Sequence, residues 1–286
     1  MTQPTWAQKE KSKLTKEEWR EYTKTVWHIA NVSDVDHPAV FPTEIPRRLI
    51  KLFSFQGETI LDPFAGTGTT ALAAVETGRK AICIEQNARY ARIIRERCHA
   101  RFNGSNATEV IRGDSRRMET VADSSIGLVV TSPPYWNKAE YGNHRANLGN
   151  IGVYTEFFDQ VRPAFEECFR VLMPGRKLCL VTANVNQHTE HGLLTFPLAA
   201  DFLTLLRDIG FVVVNEIIWS KDGTGGKWGS YGKQRPIFGS YPYPPNFLFK
   251  NVHEHILILA RPPAKRATGK TVISYDYLRG GVLAPA

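Results

Sequence analysis

Two short stretches of this chain carry side chains whose types and spacing suit chemistry. The first is Asp62-Pro63-Phe64-Ala65-Gly66-Thr67-Gly68-Thr69-Thr70. Glycines two apart permit a tight turn and close backbone approach, and a helix N-terminus behind them favours negative charge. A carboxylate beside that turn, Asp62, suits a cationic ligand such as one bearing an α-amino group and a sulfonium. About twenty residues on, the apolar run AICIE ends in Glu85, placed to accept hydrogen bonds from ribose hydroxyls. Asp114, closing the run VIRGD, and Ser115 after it add a third polar position of the same kind. Gly66, Gly68 and Ala71 also satisfy G-x-G-x-x-A, so a nicotinamide dinucleotide pocket competes. Against it, Asp62 and Pro63 stand where that fingerprint has plain apolar strand. No Gly-Lys-Ser/Thr follows, which excludes a P-loop.

The second stretch is Thr131-Ser132-Pro133-Pro134-Tyr135-Trp136. Two consecutive prolines end a strand and remove two backbone donors, leaving carbonyls free to accept. With a serine hydroxyl before them and an aromatic pair after, the segment can accept the protons of an exocyclic amino group while stacking on a flat ring.

Both stretches need strands that end side by side. From residue 40 the chain alternates: a helix after Pro42 (TEIPRRLIKLF), strand TILDPF, helix TTALAAVETG, strand AICIE, a helix over 87–102, then strands VIRGD and IGLVVTSPP. A helix near 155–172, strand KLCLVTA, a helix near 195–209 and strands VVVNEIIWS and HEHILILA complete it. Such alternation predicts one α/β domain over 1–286, a mostly parallel seven-stranded sheet with helices on both faces. In open α/β sheets ligands bind outside the carboxyl ends of the strands, and there the fourth strand, ending in TSPPYW, lies beside the first. Residues 1–35 form a helical lead-in, with Thr15 and Glu18 at capping-box spacing and Trp19, Tyr22 and Val26 as a stripe docking one helix.

Residues 137–152 and 222–250 break the alternation. The second holds six Gly, four Pro and seven aromatics, interleaved with Lys227, Lys233, Arg235 and Lys250. A loop that long is usually functional or disordered, and this composition suits a nucleic-acid surface, with a mobile lid or a packed Ω-loop as the alternative. Lys+Arg 36 against Asp+Glu 28 gives a net charge of +8, a modest bias toward polyanions. No apolar run approaches the ~20 residues of a membrane span, and the lysine-rich N-terminus has no signal-peptide core. The four cysteines show no C-x-x-C pairing and read as reduced thiols, so a soluble cytoplasmic chain is expected. No metal is expected either. His253-Glu254-His255 fails H-E-x-x-H because Leu257 takes the fourth place, and His188, Glu190 and His191 fall in a polar loop.

DPFAGTGTT together with TSPPYW resembles the DNA amino-methyltransferases that use S-adenosylmethionine, specifically their Ser-Pro-Pro-Tyr type. His37-Pro38-Ala39-Val40-Phe41-Pro42 is similar to that family's segment over the methionine end of the cofactor, and EEWREYTKTVW, IIWSKD and HEHILILARP resemble its flanks, so the likeness runs from about residue 15 to 262. The resemblance implies a Rossmann-like class I methyltransferase fold of prokaryotic or phage origin. It implies cofactor binding by His37, Phe41, Thr43, Asp62, Phe64, Ala65, Gly66, Thr67, Gly68, Thr69, Thr70, Glu85 (ribose), Asp114 (adenine amino group) and Ser115. Catalysis falls to Ser132, Pro133, Pro134 and Tyr135. The implied substrate is double-stranded DNA whose target base is flipped out, with a cognate restriction endonuclease as a possible partner.

Serine before Pro-Pro-Tyr is commoner in cytosine-N4 enzymes, whereas Asp or Asn is commoner in adenine-N6 enzymes. The resemblance therefore implies N4 of cytosine, with N6 of adenine or an RNA as alternatives. Many relatives place the Pro-Pro-Tyr motif first and put target recognition between the motifs. Here the cofactor motif comes first, so recognition is assigned to 222–250 with help from 137–152. None of the four cysteines follows a proline, which argues against cytosine-C5 chemistry.

Overall fold

The computed structural model describes residues 4–32, 41–102, 107–136, 148–221 and 251–264. His37, residues 137–147 and the whole of 222–250 lie outside the described residues. Two helices open the chain, α1 (Trp6–Lys11) and α2 (Lys16–Tyr22), each with a complete capping box, Thr5 with Gln8 and Thr15 with Glu18. The lead-in is thus not a single helix. Val26 leaves the helical register for a short strand, β1 (Val26–His28), and the expected stripe divides: Tyr22 is buried while Trp19 and Val26 are exposed.

There follow α3 (Glu44–Phe53), β2 (Thr59–Asp62), α4 (Thr69–Glu76), β3 (Lys80–Glu85), α5 (Ala88–Arg101), β4 (Thr108–Arg112) and β5 (Ile126–Thr131). Beyond them lie α6 (Tyr154–Val171), β6 (Leu172–Thr182), β7 (Val185–Thr189), β8 (Gly192–Phe196), α7 (Leu198–Ile209), β9 (Val212–Ser220) and β10 (His253–Ala260). Eight strands join in the order β1-β9-β10-β6-β5-β2-β3-β4. Neighbours are parallel except β10, which runs antiparallel to both β6 and β9. The seven expected strands are all present. The eighth is β1, which pairs Trp27 with Trp219 on the β9 edge and buries the Trp27 ring.

Side chains of the central strands alternate between two apolar layers, as period-2 geometry requires of a sheet covered on both faces. Leu61, Val129, Leu178, Leu180 and Leu257 pack with Phe157 and Phe165 of α6 and Phe202 of α7. Ile60, Leu128, Val130, Cys179 and Ile256 pack with Leu49 of α3, Ala71 of α4 and Ile94 of α5. Every residue of β5 is buried, the mark of a central parallel strand.

The polar stretch holding His188, Glu190 and His191 is not a plain loop. It forms the β7–β8 hairpin, a two-stranded sheet of its own, with Thr195 Oγ1 donating to Asn186 Oδ1 at 2.9 Å. Its last residue, Phe196, lies 4.6 Å from the Trp136 ring, centroid to centroid, so the hairpin is tied to the residue following the Ser-Pro-Pro-Tyr segment.

Candidate active site

β3 lies on one side of β2 and β5 on the other, so the strand order reverses there. Ligand clefts open at such a reversal, outside the carboxyl ends of the two strands. β2 ends in Asp62 and β5 ends in Thr131, and the Thr131 hydroxyl donates to Asp62 Oδ1 at 2.7 Å across the gap. Both candidate stretches therefore start from one point, tied together by one buried hydrogen bond.

The turn after β2 takes the shape its glycines allow. Gly66 and Gly68 have φ of +52° and +90°, a region costly to residues with a Cβ. A Cβ on Gly68 would also meet Ile94 at 3.1 Å. Gly66 N donates to Glu85 Oε2 at 2.9 Å and Asn87 N to Oε1 at 2.7 Å, which brings Glu85 from the next strand onto the turn. No side chain caps α4, so its first-turn N–H groups remain available to an acceptor. Thr67 is buried and its hydroxyl has no hydrogen-bond partner among the described residues. A turn with free donors, an unpartnered hydroxyl and a carboxylate at the neighbouring strand end fits a nucleoside with ribose hydroxyls to donate.

Electrostatics separates the three acids. Asp62 is 3% exposed, and burial pushes its carboxyl up to about 6 despite hydrogen bonds from Thr131 and from Phe64 N. That carboxylate is taken up by the protein, so Asp62 braces the turn rather than offering the exposed anion expected for a cationic ligand. Burial likewise raises Glu85, to about 7, against the opposing pull of the Asn87 and Gly66 N–H groups. Burial works to raise Asp114 as well, but hydrogen bonds and charge from Arg116 outweigh it and hold the carboxyl below its ordinary value. Arg116 Nη2 lies 2.6 Å from Asp114 Oδ2, so Asp114, at the end of β4, meets a ligand as half of an ion pair. Ser115 is buried beside it. Phe64 and Phe41 are each partly buried against the core, on opposite faces of the sheet, and Thr43 precedes α3 without a side-chain capping bond.

At the end of β5, Ser132 is partly exposed and its hydroxyl has no partner among the described residues. Pro133 is buried, Pro134 and Tyr135 partly buried. Tyr135 Oη donates to Glu254 Oε2 at 2.7 Å, and Lys221 Nζ is hydrogen-bonded to the other oxygen of Glu254. Sequence patterns pointed to none of Arg116, Lys221 or Glu254 as site residues, and they gave Thr131, the first residue of the second stretch, no role of its own. Glu254 stood out only within the failed metal pattern, and in β10 it faces away from His253 and His255, whose rings lie 5.0 Å apart. Groups of metal-binding side chains are absent among the described residues, and no described helix is long and apolar enough to cross a membrane.

The N6/N4 methyltransferase family described as DNA methylase matches residues 1–96 and 126–280. The chain belongs to this DNA methylase family. Its cofactor is S-adenosylmethionine, and the turn and Glu85 fit that nucleoside. Among relatives of this chain, the Type II methyltransferase M.BglI of Bacillus subtilis is 43% identical over 86 residues, 29% of this chain and 25% of the relative. M.MjaI of Methanocaldococcus jannaschii is 44% identical over 92 residues, 30% of each. The chain thus spans less than a third of either relative. The DNA adenine methyltransferase YhdJ of Escherichia coli is 41% identical over 58 residues, 20% of each chain. Among solved structures, TTHA0409 from Thermus thermophilus, complexed with S-adenosyl-L-methionine, is 32% identical with a TM-score of 0.39, over 55% of this chain and 57% of that one.

Proposed function

We propose that this methylase modifies an exocyclic amino nitrogen of a base in duplex DNA, with N4 of cytosine as the target. The observation that carries this is the Thr131–Asp62 hydrogen bond, which fixes the cofactor turn and the Ser-Pro-Pro-Tyr segment against each other at the switch point. S-Adenosylmethionine, when bound, supplies an electrophilic sulfonium methyl. Phe64, Gly66, Thr67 and Gly68 would line its turn, with Glu85 on the ribose hydroxyls and Asp114 toward the adenine.

The chain's own residues then prepare the acceptor. An exocyclic amine is a poor nucleophile because its lone pair is delocalised into the ring. The Ser132 hydroxyl and the Pro133 carbonyl accept hydrogen bonds from its two N–H groups, favouring a tetrahedral nitrogen with a localised lone pair; once that lone pair has taken the methyl group, the nitrogen gives up one proton to solvent. Tyr135 stacks on the extruded base and sets its plane. Placement and fixed dipoles supply most of the acceleration, and no covalent enzyme intermediate is needed. Residues 222–250, with their interleaved aromatics and cations, take the recognition role, aided by 137–152. The Type II relatives favour a restriction-modification setting with a cognate nuclease.

Serine at position 132 supports cytosine, because a short neutral hydroxyl suits the smaller ring; a second reading, N6 of adenine, is favoured by the likeness to YhdJ. Mass spectrometry of nucleosides from unmethylated DNA treated with enzyme and cofactor decides. N4-Methylcytosine is expected. N6-Methyladenine alone would remove the cytosine assignment, and methylated nucleosides found only in RNA treated in parallel would remove the DNA one.

Glu85 makes the cofactor step pH-dependent. Its ionised form accepts two ribose hydroxyls and its protonated form does so poorly, so cofactor affinity should rise as pH climbs through about 7. Glu85→Gln should weaken binding about tenfold or more and flatten that dependence. Calorimetric titrations across the range check both, and a flat wild-type profile would take Glu85 off the ribose.

A further inference from the structure

Glu254 is a buried carboxylate far in sequence from the cofactor turn and from the Ser-Pro-Pro-Tyr segment. It is 9% exposed, accepts the Tyr135 hydroxyl at 2.7 Å and holds Lys221 on its other oxygen. Lys221 in turn lies over the Trp219 ring, 4.4 Å from its centroid, and its backbone N–H donates to Val252 O at 2.8 Å. The antiparallel direction of β10 creates this arrangement. His255 pairs with Thr182 at the end of β6, and Thr131 of β5 pairs with Leu180, so the beginning of β10 arrives at the same edge as Ser132.

A buried ion pair is weak evidence for stability, since desolvating both charges offsets most of their attraction. Its retention here needs another use, and the geometry supplies one. A phenol hydroxyl lies in its ring plane, so a charged acceptor fixed at the far end pins the ring's tilt as well as its position. We infer that Glu254, braced by Lys221, is the positioning residue for Tyr135, holding its ring in the one orientation that seats the target base against Ser132. This rests on the proposal that Tyr135 stacks on that base.

The test uses the full chain, unmethylated bacteriophage DNA and tritium-labelled S-adenosylmethionine, read as single-turnover methyl transfer at saturating cofactor. Glu254→Ala should slow transfer about ten- to a hundredfold, the scale of a small misplacement of reacting groups. Glu254→Gln, which keeps an acceptor for the hydroxyl, should restore most of the rate, and cofactor affinity by calorimetry should stay within about twofold. In a Tyr135→Phe background, which lacks the hydroxyl, Glu254→Ala should cost less than about threefold more.

The double variant Glu254→Met, Lys221→Met removes both charges together, so it leaves no orphan charge to unfold the chain, and it must show the same loss. Equal losses from Glu254→Ala in the wild-type and Tyr135→Phe backgrounds, or wild-type rates in both acceptor-free variants, would overturn the role. A wild-type chain that labels RNA instead of DNA would overturn the duplex proposal alone. The same comparison on that RNA would still decide the role of Glu254.

Discussion

Ser132→Ala is expected to slow methyl transfer about a hundredfold, the usual loss when one preorganised polar contact to the reacting group is deleted. The Ser132 hydroxyl has no partner among the described residues, so its accepting capacity is not spent on any of them. The Pro133 carbonyl can take one proton of the amine but not both, and the second would then point at a methyl group. Cofactor affinity should be unaffected, because the turn is held by Asp62 and Glu85 through bonds that do not involve Ser132. Loss in kcat with KM for the cofactor unchanged is the pattern of an interaction made with the reacting amine. Single-turnover rates beside calorimetric cofactor titrations separate the two, and an undiminished rate would remove Ser132 from the chemistry.

Asp62→Ala should have the largest effect on stability. It strips the acceptor from the Phe64 N–H and the Thr131 hydroxyl inside the core, for a loss of about 3 kcal/mol. It also releases the two candidate site segments from each other, so activity should fall even below the melting temperature. Asp62→Asn keeps an acceptor and loses the charge, and its loss should be smaller.

The pH dependence tells the wild-type chain from both variants, since neither alanine nor asparagine titrates at this position. Burial raises the folded-state value of Asp62 to about 6, above its ordinary range. Between roughly pH 4 and 6 the folded protein therefore holds a proton that the unfolded chain has released, and stability falls as pH rises across that window, by on the order of 3 kcal/mol. Glu85 adds the same sign up to about 7. Asp62→Asn should remove the lower part of the slope. Denaturant titrations of wild type and variant at several pH values measure it, and parallel slopes in the two would show that Asp62 is not the group responsible.

Much of the site is legible in one dimension because it is made of local chemistry. Glycines at 66 and 68 need no distant partner to demand a left-handed turn, and Pro133-Pro134 end their strand by their own covalent structure. The alternation of short apolar runs with amphipathic helices likewise fixes a parallel sheet, and with it the placing of Asp62, Glu85, Asp114 and Ser132 at strand ends. The first helices went wrong for a related reason. Two capping boxes sit close together, and the helical spacing of Val26 does not show that the β9 edge will claim it as a strand.

The folded chain alone decides which of those residues are spent on each other. Asp62 meets Thr131 across 69 positions and Tyr135 meets Glu254 across 119. Neither pair has a spacing that any repeat of 2 or 3.6 residues would reveal. Both depend on which strands become neighbours and in what direction. An apolar run such as HEHILILA does not mark its own direction, and its antiparallel pairing between β6 and β9 is what delivers Glu254 to the edge where Ser132 lies. Local sequence determines the chemistry each strand end can offer, whereas packing determines which of those groups remain free to offer it.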